Sequence, residues 1–263
     1  MTSGTARDWD PAEITDALPG AIAGEEMHLY FQPVVSLADR TATKLEALLR
    51  WAHPERGMLG PGVFMEALQA GGLQSELEEW TIREALHQLA YWSDGIPGQL
   101  SISVNLAGPH AFEGGLAEVI RATADGAGAS MQRLGIEISE AVAGGADRDG
   151  RQALREISDL GVDITVDDFS GRIELDELRR LPISALKIGR TIVAGIPDDP
   201  TMLEIASMAI SRGRELGLGV IATGIENPGQ AASLREIGCR YGQGFLYSVP
   251  MPAEVLEERI LRG

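Results

Sequence analysis

The chain reads as an α/β protein of TIM type, a (β/α)8 barrel. Two observations predict this: a recurring unit of amphipathic helix, glycine stop and short strand, and a total of eight strand-like segments spread over 263 residues. Alternating strands and helices imply a mostly parallel sheet, and about 250 residues is the usual length of such a barrel. An open doubly wound sheet is the competing architecture, but no glycine-rich phosphate turn follows the first strand.

The strands are expected at 28–35, 44–51, 100–106, 134–139, 162–169, 185–189, 219–226 and 241–247. Between them run helical patterns. Ile82, Ala85, Leu86, Leu89 and Trp92 share one face, as do Leu154, Ile157 and Leu160 ahead of Gly161. Met202, Ile205, Met208 and Ala209 repeat the plan before the seventh strand. Asn227 then reads as an N-cap with Pro228 at the first helical position, and the helix stops at Gly238. The run Arg-Glu-Ile or Arg-Glu-Leu recurs near helix ends, at Arg155, Arg214 and Arg235. No linker divides the chain, so a single domain is expected over 11–263, after a flexible N-terminus at 1–10.

Composition excludes several functions. Lys plus Arg number 22 against 39 Asp plus Glu, a formal net charge of −17. Such a surface repels a nucleic-acid backbone, although a small anion remains possible where cations screen it. A single cysteine, Cys239, precludes an internal disulfide and sits in an apolar setting, as a buried structural thiol would. No apolar run approaches membrane-spanning length and the first residues lack a signal-peptide pattern, so a cytoplasmic protein without membrane contact is expected.

Chemistry-bearing residues of a barrel come from the C-terminal ends of its strands. Polar residues sit there within apolar surroundings: Glu46, Asn105, Glu137, Asp167 with Asp168, Lys187, and Gln243 between two glycines. A buried carboxylate is costly unless paired or metal-bound, and any one of these could be a cap or a salt-bridge partner. Several converging on one barrel mouth point instead to a shared oxygen-rich site for a hard cation such as Mg²⁺ or Mn²⁺. Adjacent aspartates suit a carboxylate bridging two ions, as in phosphodiester hydrolysis. Zinc is disfavoured, because His28, His53, His87 and His110 are scattered.

Taken in order, these residues resemble the EAL-domain cyclic di-GMP phosphodiesterases, over roughly residues 14–261. The resemblance rests on Tyr30-Phe31-Gln32-Pro33, Glu46-Ala47-Leu48-Leu49-Arg50-Trp51 with His53-Pro54, Ser103-Val104-Asn105-Leu106 and Glu137-Ile138-Ser139-Glu140. It continues through Asp167-Asp168-Phe169, Leu186-Lys187-Ile188 and Gln243-Gly244-Phe245-Leu246. It implies a bacterial protein, a barrel with an antiparallel first strand, and hydrolysis of cyclic di-GMP to pGpG with Mg²⁺ or Mn²⁺. By motif position, Glu46, Asn105, Glu137 and Asp167 would hold one metal, with Asp168 on a second. Lys187 would contact the attacking water and Gln243 would support the site. Gln32, Leu48, Arg50 and Asp168 would touch the ligand, Arg50 at a phosphate. Glu140, helped by Glu226, would brace the loop after the aspartates.

Three departures from the family pattern stand out. Ala222-Thr223-Gly224-Ile225-Glu226 replaces Ala-Glu-Gly-Val-Glu, so Thr223 stands where the family has its general base and second-metal ligand. Losing a positioned base costs about 10²–10⁴ in rate. Glu226 is three residues along a strand from Thr223 and is therefore expected to face away. The loop after Asp168-Phe169 is one residue shorter than the family's, and Lys187-Ile188-Gly189 lacks the carboxylate that normally follows. The reading is a catalytically impaired domain that binds cyclic di-GMP, acts as a homodimer and is read by a protein partner. A slow phosphodiesterase and a nucleotide-free interaction module are the alternatives.

Overall fold

The computed structural model describes residues 11–94, 100–106 and 115–261; the expected flexible stretch at 1–10, and His110, lie outside them. Eight strands close into a barrel: β1 (Met27–Ser36), β2 (Ala42–His53), β4 (Ser101–Leu106), β5 (Leu134–Ser139), β6 (Asp163–Phe169), β7 (Ala185–Ile188), β8 (Gly219–Thr223) and β9 (Tyr241–Gln243). The neighbours β2-β4-β5-β6-β7-β8-β9 are all parallel, whereas β1 is antiparallel to both β2 and β9 and closes the ring. The antiparallel first strand implied by the resemblance is therefore present. The hairpin partner β3 (Gly57–Leu59) extends β2 outside the ring, and its three residues carried no legible strand pattern.

The barrel is wrapped by helices, of which α2 (Pro61–Ala70), α3 (Gln74–Tyr91), α4 (Leu116–Ala127), α5 (Glu140–Gly144), α6 (Arg148–Ser158), α7 (Leu175–Leu178), α8 (Arg190–Gly195), α9 (Pro200–Leu216) and α10 (Pro228–Glu236) lie between strands. α1 (Pro11–Ala23) precedes the barrel and α11 (Ala253–Leu261) follows it. Strand alternation divides the work. Leu45, Ala47, Ile102, Val104, Ile136, Ile138, Ile164, Val166, Leu186 and Ile188 belong to one continuous buried apolar cluster with the helices. Their neighbours Glu46, Ser103, Glu137, Thr165 and Lys187 are equally buried but polar. Register sets Glu46 beside Ser103, and Asn105 beside Glu137 beside Thr165, so these side chains share the inner face. A second apolar cluster, with Leu18, Trp51, Phe64 and Leu68 at its centre, holds α1 and α2 against the end of β2.

Two strands end earlier than the sequence pattern indicates. β8 stops at Thr223 because Gly224 adopts φ +77, and β9 stops at Gln243. Past these points the two segments cross tightly: Ile225 N–H donates to the Gln243 carbonyl, and a Cβ on Gly244 would meet the Ile225 backbone at 2.1 Å. Only glycine permits that approach.

Asn227 is the N-cap the sequence implies, and the structure adds a capping box with Gln230. The Asn227 side chain accepts from Gln230 N–H at 3.0 Å, and the Gln230 amide oxygen accepts from Glu226 and Asn227 N–H. Because α10 leads directly into β9, Asn227→Ala is expected to lower unfolding free energy by about 1 kcal/mol. Denaturant melts of both proteins measure it: a lower midpoint at unchanged slope is the expected result.

A candidate nucleotide-binding barrel mouth

The centre of the site is a single ammonium. Lys187, only 1% exposed, projects from β7 into the barrel. Its Nζ lies 2.6 Å from Glu46 Oε2 on β2, 2.6 Å from Glu137 Oε2 on β5 and 3.9 Å from Asp167 Oδ1 on β6. Every remaining oxygen of the two glutamates is used. Asn105 donates to Glu46 at 2.8 Å, Gln243 donates to Glu46 at 2.9 Å, and Ser103 Oγ donates to Glu137 at 2.5 Å. Gln243 also reaches Gln32, which in turn donates to the Ser248 carbonyl. Thus four distant strands are tied through one cation.

The titration of these groups follows from burial against charge. Burial opposes the charged form of Lys187, but Glu137, Glu46 and Asp167 outweigh it and hold the ammonium well above its usual range. Burial likewise opposes ionisation of Glu46, yet Lys187 and the amide donors pull its pKa below the ordinary value. Glu137 goes the other way: burial, reinforced by Glu46, pushes its carboxyl up to about 7. Asp167 is raised, chiefly by burial. Lys44, on the same inner face as Glu46, is lowered by burial. Burial is thus the chief cause of the shifts on Glu137, Asp167 and Lys44.

This differs from the expected metal cage. Among the described residues, no cluster of three or more His, Cys, Asp or Glu side chains stands ready to hold a metal ion. Lys187, expected beside a water, occupies the point where the carboxylates converge, since in a closed low-dielectric layer the resident ammonium is their nearest counter-ion. The donor set still fits a hard cation in kind: three carboxylates and an amide. A raised Glu137 and the buried Thr165 hydroxyl, which has no hydrogen-bond partner among the described residues, show that the layer is not fully satisfied.

Above this layer opens a cavity of about 300 Å³. It is lined by Gln32, Glu46, Leu48, Arg50, Asp167, Asp168, Lys187, Thr223, Glu226 and Gln243, the residues singled out in the sequence, with Asn105 and Glu137 beneath them. Arg190, Phe245 and Pro250 also line it and were not anticipated. Arg50 stands half-buried, its guanidinium 5.6 Å from the Tyr30 ring centre and donating to the Leu49 carbonyl. Asp168 adopts φ +52, rare for a non-glycine residue, where the register between β6 and β7 slips. Its carboxylate packs against Gly189, where a Cβ would lie 3.1 Å from Oδ1.

Glu140 braces the following loop as implied, through Ser170 N–H and hydroxyl, Arg172 N–H and Ile173 N–H at 2.6–3.0 Å. Those four bonds hold its pKa down against burial. Glu226 takes no part in this bracing and pairs with Arg190 at 2.8 Å. Nor does it face away from Thr223, because the strand has already ended at Gly224 and alternation no longer applies. Thr223 donates its hydroxyl to the Ile188 carbonyl at 2.9 Å. Cys239 is buried and its thiol is pushed up to about 11 by burial, an inert structural role.

The chain matches known proteins along nearly its full length. Residues 15–250 match the EAL domain profile. The chain is 35% identical over 248 residues to cyclic di-GMP phosphodiesterase NbdA of Pseudomonas aeruginosa, covering 94% of this chain and 32% of that protein. It is 33% identical to the bifunctional diguanylate cyclase/cyclic di-GMP phosphodiesterase MucR of the same organism, covering 97% of this chain and 37% of MucR. The chain therefore spans about a third of the length of these relatives. Among solved structures, the PaMucR phosphodiesterase in complex with c-di-GMP superposes with a TM-score of 0.88 at 34% identity, covering 93% of this chain and 99% of that one. The EAL enzyme Bd1971, bound to cAMP and cyclic di-GMP, gives 0.88 at 28% identity, covering 95% of this chain and 69% of its own. The profile match over residues 15–250, together with this likeness in fold, shows that the chain belongs to the EAL domain family.

Proposed function

We propose that the barrel mouth binds cyclic di-GMP and that hydrolysis there is impaired, so that the domain serves as a receptor. Relatives named as cyclic di-GMP phosphodiesterases and a neighbouring structure holding the nucleotide support the ligand. The impairment rests on one observation: on the wall beside Asp167 and Asp168, the end of β8 presents a threonine whose hydroxyl is already donated to the Ile188 carbonyl. A hydroxyl so engaged is no base near neutral pH and a poor ligand for a hard cation. Arg50 and Arg190 supply cations for phosphate oxygens, and Gln32 and Leu48 give the wall that orients the ligand.

A divalent cation, Mg²⁺ or Mn²⁺, would be held by Glu46, Asn105, Glu137 and Asp167, with Lys187 giving up its central contacts. When bound it would polarise a phosphodiester oxygen and lower the pKa of water. In the metal-free chain, Lys187 holds the carboxylates together, and Gln243 and Asn105 orient Glu46.

A second reading, an active phosphodiesterase, is favoured by Glu226. Because β8 ends before it, its carboxylate shares the cavity with Thr223, restrained among the described residues by the exposed pair with Arg190. Such exposed pairs are weak, at about 0–1 kcal/mol, and open readily.

Calorimetry with cyclic di-GMP, and chromatography for pGpG in the same Mn²⁺-containing samples, separates the two. Saturable binding without product is expected, with Arg50→Ala weakening affinity about tenfold or more and Thr223→Glu gaining turnover. Product from the wild-type chain that both Glu46→Ala and Glu226→Gln abolish would establish the second reading instead. Absence of binding at high micromolar nucleotide would end both.

Metal affinity should also report Glu137. Its folded pKa of about 7 lies above the ordinary 4.5, so between these values the metal-free fold holds a proton that the unfolded chain has lost. This group's contribution to stability therefore falls as pH rises from about 4.5 through about 7. The same proton must leave when a cation binds. Apparent Mn²⁺ affinity is expected to rise from pH 6 to about 8 with proton release, measured by calorimetry in buffers of different ionisation enthalpy, and Glu137→Gln should flatten the dependence.

A further inference from the structure

The recurring Arg-Glu-Ile and Arg-Glu-Leu runs find no use at the barrel mouth. Arg214, near the end of α9, and Arg235, at the end of α10, reach the opposite face, where β8 and β9 begin. Arg240 joins them on the turn into β9. Two clefts of about 380 and 580 Å³ share Arg214, Gly238, Arg240 and Tyr241 as walls, and the second extends to Arg235 and to Ser36–Ala38 on the β1–β2 turn. They form one continuous depression. Arg40, whose backbone N–H donates to the Ser36 carbonyl at 2.8 Å, lies on the same turn and adds a fourth exposed arginine beside it.

These arginines are not consumed by acids. Glu215, beside Arg214, is ion-paired with Arg179, and Asp39, beside Arg40, accepts from Thr41. Glu236, beside Arg235, is exposed. Among the described residues none of the four makes an ion pair. A cation in the last turn complements the negative end of a helix, which accounts for Arg214 and Arg235. It does not account for Arg240 and Arg40, which lie outside helices. Four exposed guanidinium groups on one face stand out in a chain of net charge −17, and an anion bound among them would screen their mutual repulsion.

We infer that this depression is a second anion site, on the face opposite the barrel mouth, which takes the phosphate groups of a small nucleotide. Guanidinium forks match phosphate oxygens in pairs, and Tyr241 on the wall offers a ring for a base. The acidic remainder of the surface excludes duplex nucleic acid and leaves room only for a compact anion.

The test is calorimetry of the full chain with GTP and with inorganic pyrophosphate, both without divalent metal, at low and at physiological salt. Submillimolar saturable binding of both is expected, weaker as salt rises. It should persist in Arg50→Ala and in the control Arg121→Ala, and weaken about tenfold or more in Arg214→Ala/Arg240→Ala with an unchanged circular dichroism spectrum. No saturation by about 5 mM would overturn the inference. So would binding that survives the double substitution, or binding lost with Arg50→Ala, which belongs to the barrel mouth. An acidic peptide that binds where GTP does not would make the face a protein contact and equally refute a nucleotide site.

Discussion

The Lys187 ammonium is the constraint on which the barrel interior depends. An amine with 1% exposure and two carboxylates at 2.6 Å is a buried ion cluster, not a surface salt bridge. Taking one such charge from water costs several kcal/mol, offset only when geometry is good and the other hydrogen-bonding positions are filled. Here they are filled from β1, β2, β4, β5, β7 and β9. Closing the ring is thus coupled to completing the polar layer, because each strand brings one partner that the others need. Removing Lys187 would leave Glu46 and Glu137 buried without a counter-ion.

The same layer explains how an EAL barrel can vary residues at its mouth without losing its fold. Thr223, Asp168 and the loop after Phe169 all lie at the rim, above the layer. Thr223 satisfies its hydroxyl on the neighbouring strand, and the Asp168 carboxylate lies close to Gly189. Glu140 keeps the loop in place with four hydrogen bonds. None of these adjustments disturbs Lys187 or its partners. The scaffold is held by the inner layer and the apolar cluster outside it, while the rim is free to vary.

Charge is segregated along the barrel axis. The carboxylate-rich layer and the cavity above it sit at the C-terminal ends of the strands, and the arginine-lined depression sits at the other end. Helix direction contributes, because every outer helix that returns to a parallel strand directs its negative end to the face where the arginines lie.

Much of this was legible in the residues themselves. Periodicity and glycine stops specify the strand-helix alternation, since burying one face of each element leaves a period that can be read directly. Polar residues within apolar strands mark the inner layer, because a buried charge has few reasons to be there. Tertiary structure decided what depends on neighbours distant in sequence. That Lys187 stands at the centre of the carboxylates follows from four strands meeting, not from the two residues beside it. That Glu226 shares a cavity with Thr223 follows from Gly224 ending β8, which overrides strand alternation. Arg190 was missed because an exposed arginine has no signature until the chain folds it over the cavity. Local pattern records what each segment must bury; only the closed barrel determines which buried groups meet.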